Sequence, residues 1–337
     1  MIIRSKAPLR LGFAGGGTDV SPYSDSKGGA VLNATINKYA YVTLVPRKDN
    51  KIHITSLDYD IVADYKVDQR LVFDGEMDLA KGVIEKFKRN QDGFELYTHG
   101  DAPAGSGLGS SSTMVVAMIG AFKEWHQIPL GDYDIAHLAY EIERKDIGIK
   151  GGKQDQYAAA FGGFNFMEFE GEQVIINPLR IKPHIINELQ YNMLLCYTGG
   201  TRPSARIIDS QVKNFVSGKK DTIEAMDLLK QNAIDMKKAL LTGKLSEFGE
   251  LMNFGWEQKK KMSDKISSPV IDEMYEEARK AGAIGGKISG AGGGGFMMIY
   301  CRFDKRHKVA ERLEQLGGEI IDFQFEEKGV QTWRMAK

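Results

Sequence analysis

The sequence predicts an α+β protein of two domains, on three observations. The chain has 337 residues, more than one hydrophobic core comfortably serves, and chains of this size divide into domains of about 100–200 residues. From Ile2 to about Glu170 short alternating segments dominate, among them YAYVTLVP (Tyr39–Pro46), Lys51–Ser56 and Phe94–His99. Such period-two alternation marks half-buried strands. The remainder turns helical and closes as strand, strand, helix, strand, a pattern that forms an antiparallel sheet covered by helices.

Met114, Met118, Ala121, Phe122 and Trp125 recur three or four apart, which predicts a helix over about Ser111–His126 with that stripe turned to a core. A second helix is expected over Tyr133–Lys145 and a hairpin over Gly163–Ile176. The stretch NPLRIKPH (Asn177–His184) carries two prolines and reads as a linker, so the domains are placed at 1–180 and 181–337. Tyr191–Tyr197 opens the second as an apolar strand, and helices run to about Gly282 with breaks at Gly218, Gly243 and Pro269. Strands Ala283–Ser289 and Gly295–Cys301, a helix Lys305–Leu316 and a strand Glu319–Phe325 complete it. The run Lys259–Lys261 reads as a solvated helix face.

Charge excludes some partners. The 45 basic and 45 acidic residues cancel, so no global field draws nucleic acid or an anionic membrane, and any anion site must be built locally. Only Cys196 and Cys301 occur, too few for a disulfide framework and consistent with a reducing compartment. No apolar run approaches the roughly 18 residues of a membrane span, and MIIRSKAPLRLGF has no signal-peptide core. A cytoplasmic protein is expected, and a homodimer is compatible with the sequence. His99, His126 and His137 are not spaced as a metal site.

The 38 glycines cluster into three loops. PAGSGLGSSS (Pro103–Ser112) leads into the helix that carries the Met114 stripe. Unpaired N–H groups at a helix start donate to an anion, and glycines let a phosphate approach them. Ser110, Ser111 and Ser112 can donate to phosphate or ligate magnesium, although a serine cap on an ordinary turn is the plainer reading. The stretch is neither a P-loop, since no lysine follows its last glycine, nor a GxGxxG fingerprint. APLRLGFAGGGTDV (Ala7–Val20) places Arg10 in a strand before Gly15, Gly16, Gly17, Thr18 and Asp19. KISGAGGGGFMMIY (Lys287–Tyr300) sets five glycines, including Gly292 and Gly293, between two strands.

In order, these loops resemble the three motifs of the GHMP kinases, over essentially the whole chain. The first departs from galactokinase, which has Gly-Glu-His where this chain has Gly-Gly-Gly before Thr18-Asp19, and galactose is accordingly a poor guess. LRLGFAGGGTDV, YEIERKDIGIKGGKQDQYAAAFGG (Tyr140–Gly163) and YTGGTRPSARII (Tyr197–Ile208) are most similar to family members that phosphorylate heptose 7-phosphates at the anomeric oxygen. Fucokinases share some of these phrases. The resemblance implies an N-terminal domain like ribosomal protein S5 domain 2, a ferredoxin-like C-terminal domain, and ATP, Mg2+ and sugar in the cleft between them.

It also implies roles. Asp155 matches the carboxylate that orients or deprotonates the acceptor hydroxyl, and Arg10 the basic residue of the first motif. Pro103, Gly105, Ser106, Gly107, Leu108, Gly109 and Ser110–Ser112 match the ATP phosphate loop. Ser111 with Glu143 would hold magnesium; reaching Glu143 takes a one-residue shift, so Glu141 stays a rival. Gly15–Gly17, Thr18, Asp19, Gly292 and Gly293 would line the sugar site. A sugar phosphate would need a basic pocket, for which Arg202, Arg206 and Lys153 are the candidates. No side chain identifies the adenine site. The alternatives are another sugar 1-kinase, such as a fucokinase, and a catalytically silent sensor on the same scaffold, which should lack Asp155 or Arg10.

Overall fold

The computed structural model describes residues 1–89, 92–200 and 204–336. Among them, two long strands organise the first half: β1 (Ile2–Ala14) and β2 (Gly29–Pro46) pair antiparallel from Ile3 opposite Leu44 to Ala14 opposite Leu32. With β3 (Lys51–Ser56), β4 (Ile61–Lys66), β5 (Phe94–Gly100), β6 (Phe164–Glu170), β7 (Gln173–Pro178) and the terminal β12 (Gln331–Met335) they make an eight-stranded sheet. Its order is β12-β1-β2-β5-β3-β4, while β6 joins the first half of β2 and carries β7. Only β3 and β5 run parallel in it. A second, antiparallel sheet has the order β11-β8-β10-β9, from β8 (Met193–Tyr197), β9 (Ala283–Ile288), β10 (Phe296–Cys301) and β11 (Glu319–Ile320).

The first half also carries α1 (Tyr23–Lys27), α2 (Asp78–Phe87), α3 (Ser110–His126), α4 (Asp132–Tyr140) and α5 (Gln154–Phe161). Helices α6 (Pro183–Asn192), α7 (Ser204–Val216), α8 (Lys220–Leu241), α9 (Leu245–Lys260), α10 (Pro269–Ala281) and α11 (Arg306–Gln315) follow. Both cysteines are buried and unpaired. Helix α3 is apolar nearly all round, with Val115, Ala117, Ile119 and Phe122 fully buried between the first sheet and its neighbouring helices, so a helix expected to bury one stripe is instead central.

Register explains how the site is aimed. The β1–β2 ladder shifts between Pro8 and Leu9, where proline has no N–H to give the ladder. Ile3 and Ala7 pack into the helix-covered core before that point, whereas Leu9, Leu11 and Phe13 pack into the core between the two sheets after it. The irregularity exchanges the faces of the strand, as bulges beside active sites do, and Arg10 therefore points toward the starts of α3 and α5.

Three expectations are corrected. The linker Asn177–His184 is largely structured: Asn177 and Pro178 end β7, and Pro183 begins α6, since a proline in the first helical turn loses no hydrogen bond. The strand expected over Glu319–Phe325 stops at Ile320. Residues 324–336 do not stay with the second half, because Asn37 donates its N–H to the Gln324 carbonyl at 2.8 Å and β12 pairs with β1. The split at 180 thus omits a terminal segment that belongs to the first sheet.

Candidate active site

The face exchange in β1 buries Arg10 to 3% exposure against the start of α5. Its Nε and Nη2 both donate to Asp155 Oδ1, at 2.8 and 2.6 Å. Nη1 donates to the Gly107 carbonyl at 2.5 Å and to Ser289 Oγ at 3.3 Å. One guanidinium thereby ties together the first, second and third glycine-rich segments and the Asp155 turn. Both bonds to the carboxylate fall on Oδ1; Oδ2 accepts no hydrogen bond among the described residues and is left to the cavity that Asp155 lines.

Asp155 lies in the first turn of α5, where the helix field favours a carboxylate. That turn is held from outside. Asp19, 1% exposed, accepts the backbone N–H groups of Lys153 and Gln154 at 3.1 and 3.2 Å and that of Gly17 at 3.0 Å. Its carboxylate caps α5 from the first loop and is already engaged, although it also borders the cavity. A side chain at Gly152 would strike it, since a Cβ there would sit 1.9 Å from Asp19 Oδ2.

Helix α3 starts at Ser110 with no side-chain cap on Gly109, so its first N–H groups open into the same cavity, which Ser110, Ser111 and Ser112 line. The plainer reading, a serine cap on an ordinary turn, is not what forms. The loop before it is braced by the third glycine segment: Phe296 N–H donates to the Ser106 carbonyl at 3.0 Å. Gly107, at φ +89°, comes so close that a Cβ would lie 2.4 Å from the Ser289 carbonyl oxygen. Glycine is required there for both conformation and contact.

Glu143 reaches the cavity from a π-helical turn, Glu141–Asp146, closed by an Ile147 N–H to Ile142 carbonyl bond of 3.0 Å. Ser112 Oγ donates to Glu143 Oε1 at 3.0 Å, and Gln156 Nε2 donates to Oε2 at 2.5 Å. Burial pushes the carboxyl above its usual range, while Arg144 and the hydrogen bonds from Ser112 and Gln156 oppose that. Glu141 instead pairs with Lys145 at the surface and does not line the cavity.

Other expected site residues land elsewhere. Gly17 lines the cavity, but Gly15, Gly16 and Thr18 do not. Thr18 Oγ1 donates to the Gly15 carbonyl at 2.8 Å and accepts from Ala30 N–H at 3.1 Å, a fully buried brace. Lys153 donates its ammonium to the Gly171 carbonyl, away from the cavity, and burial lowers its pKa. Arg206 is exposed, whereas its neighbours Ser204, Ala205 and Ile208 line the cavity; Arg202 lies outside the described residues. Gly293 N–H bonds the Ile266 carbonyl at 2.7 Å, and Gly290 and Ala291, not Gly292 and Gly293, border the cavity. In the segment expected to hold phosphate, Gly105, Gly107 and Gly109 face the cavity, Ser106 and Leu108 are fully buried, and Pro103 borders an adjoining one.

The family profile of the GHMP kinases N terminal domain matches residues 78–163, and that of the GHMP kinases C terminal matches residues 236–319. A D-glycero-alpha-D-manno-heptose 7-phosphate kinase of Campylobacter jejuni is 44% identical over 99% of each chain. The chain belongs to the GHMP kinases. Among solved structures, a D-glycero-D-manno-heptose 1-phosphate kinase from Bacteroides thetaiotaomicron superimposes with a TM-score of 0.85 at 44% identity, covering 99% of this chain and 100% of the other. The mevalonate kinase of Methanococcus jannaschii, at 20% identity, has the same fold, with a TM-score of 0.74 over 97% of this chain and 98% of its own.

In this GHMP kinase a second cavity of about 900 Å³ adjoins the first, which is about 310 Å³, through Ser110, Ser111 and Ile149. Tyr59, Met77, Leu79, Met114 and Met118 contribute to its walls. Sequence reasoning missed it because its residues come from separate segments with no common motif, and Met114 and Met118, which read as core positions, also pack into the core. Also missed was Lys259, expected on a solvated face but 2% exposed and lining the first cavity. No helix among the described residues is long and apolar enough to cross a membrane.

Proposed function

We propose that this GHMP kinase transfers the γ-phosphoryl group of ATP to the anomeric O1 of D-glycero-D-manno-heptose 7-phosphate, giving the 1,7-bisphosphate. The observation that carries the phosphotransfer is Asp155, oriented by Arg10 through one oxygen and open through the other, in the cavity entered by the uncapped start of α3. The acceptor rests on the Campylobacter jejuni relative's name. Backbone N–H groups of Ser110–Ser112 hold the β- and γ-phosphates, and the adjoining cavity with Tyr59, Met114 and Met118 takes the adenine.

Asp155 Oδ2 accepts the hydrogen bond of the O1 hydroxyl and aligns its lone pair with the γ-phosphorus. As the new O1–P bond forms, the bridging bond to the β-phosphate breaks, ADP departs, and the hydroxyl proton passes to Asp155. Arg10 holds the carboxylate in place through Oδ1 and adds positive charge beside the moving group.

The residues also fit magnesium. Ser111 and Glu143 offer oxygen donors on one wall of the cavity, and this ion is commonly bound by one or two carboxylates plus phosphate oxygens. Among the described residues no cluster of three or more His, Cys, Asp or Glu could hold a metal. When bound, the ion neutralises charge on the β- and γ-phosphates. Glu143→Gln is expected to raise the Mg2+ concentration for half-maximal activity ~10–100-fold with little change in sugar KM; a magnesium titration of initial rates checks this.

The reading as a whole is tested by incubating the protein with ATP and Mg2+ against heptose 7-phosphate, fucose, galactose and mannose. The expected product is one new anomeric phosphate on heptose 7-phosphate, located by phosphorus and carbon NMR. Preference for fucose would replace the acceptor, and no transfer to any sugar would remove the function.

A further inference from the structure

Two buried polar side chains from the second half face the cavity and have no part in the phosphotransfer described so far. Gln211 of α7 is 4% exposed, and its Nε2 has no hydrogen-bond partner among the described residues. Lys259 of α9 donates to the Gly16 carbonyl at 3.1 Å and to the Gly290 carbonyl at 2.9 Å. An ammonium has three donors, so one remains. Both residues line the cavity together with Gly17 and Asp19, and Gln211 Oε1 lies against Gly17, 3.4 Å from where a Cβ would stand.

Leaving a buried amide N–H unpaired costs about 1–3 kcal/mol, and burying an ammonium costs more. A hydrophobic residue at position 211 would avoid the first cost, so the donor needs a partner that arrives with a ligand. Both free groups are donors, and they complement oxygen acceptors: sugar hydroxyls or phosphate oxygens. Around Lys259 stand Arg10 on one side and Asp19 and Asp155 on the other, and burial drives the neighbouring Lys287 amine well below its ordinary pKa. Arg10 and Lys259 thus offset the two carboxylates, and the free donors, not a net charge, select an oxygen ligand.

We propose that Gln211 and Lys259 form an acceptor-recognition pair, donating from the second half of the chain to oxygens of the sugar phosphate, while Lys259 also pins the first and third glycine loops around it. This rests on the sugar phosphate reading above. Of the residues expected in the basic pocket, Arg206 and Lys153 do not line the cavity and Arg202 lies outside the described residues. Because burial brings the Lys259 ammonium down to about 8, against the pull of Asp19 and Asp155 and with the push of Arg10, its donor charge is present below that pH and lost above it.

The test measures KM for heptose 7-phosphate, KM for ATP and thermal midpoint in Gln211→Leu and Lys259→Met. Gln211→Leu should raise the sugar phosphate KM about 3–10-fold and Lys259→Met about 10–100-fold, with ATP KM within about 3-fold and the midpoint of Gln211→Leu equal to or above wild type. A merely structural glutamine would lower the midpoint and leave the sugar KM unmoved. In wild type, kcat/KM for the sugar phosphate should fall as pH rises through about 8, and that step should vanish in Lys259→Met. Unphosphorylated heptose separates the two oxygen sources: a loss shared by both sugars assigns hydroxyl contacts, and a loss confined to the 7-phosphate assigns its phosphate. An unchanged sugar phosphate KM in Gln211→Leu, or in a folded Lys259→Met, overturns the pair. If wild type neither binds nor phosphorylates heptose 7-phosphate, the acceptor assignment itself fails first.

Discussion

Asp155→Asn is expected to bind an ATP analogue as wild type does and to lose turnover by ~10²–10⁴-fold, the range for removing a positioned general base. The substitution keeps the side chain's size and its place in the first turn of α5. It removes the charge that Arg10 holds at 2.6 Å, and the carboxylate that Oδ2 offers to the acceptor. Because the transition state is loose, part of the loss comes from orientation rather than basicity. Fluorescent-nucleotide binding with steady-state rates separates the two properties, and near-normal kcat would remove Asp155 from the chemistry.

Arg10→Lys should lower kcat by ~10²–10³-fold, comparable to deleting a transition-state donor, although the formal charge is conserved. A lysine presents one point of charge, whereas the guanidinium fork reaches Asp155 Oδ1 from two nitrogens, the Gly107 carbonyl and Ser289 Oγ simultaneously. The phosphate loop and the Asp155 turn then lose their common brace, so both kcat and ATP KM should suffer. A variant with wild-type kcat would mean that the fork holds structure only.

The sequence already displayed much of this arrangement, because backbone requirements leave compositional marks. Glycines crowd where loops pass at contact distance, as Gly107 does beside Ser289, and the Met114 stripe located α3. Asp155 and Arg10 were legible only through the family resemblance, for nothing local distinguishes a first-turn aspartate that caps a helix from one that serves a cavity. Lys259 was unreadable for a different reason: burial of a single lysine depends on which loops close over it, here Gly16 and Gly290, and a KKK run looks the same whether or not they do. The return of residues 324–336 to the first sheet was equally hidden, since β12 is short and mostly exposed and its partner lies at the opposite end of the chain. Glu143 and Glu141 could not be separated in the sequence, because only burial and the cavity lining, which include Glu143 and leave Glu141 with Lys145, tell them apart.

The most direct measurement is a crystal structure with a non-hydrolysable ATP analogue and heptose 7-phosphate bound together. The account predicts the β- and γ-phosphate oxygens within hydrogen-bond reach of the backbone N–H groups of Ser110–Ser112, and Asp155 Oδ2 against the anomeric hydroxyl. A triphosphate seated away from the start of α3, or an Asp155 whose free oxygen turns from the sugar, would contradict it.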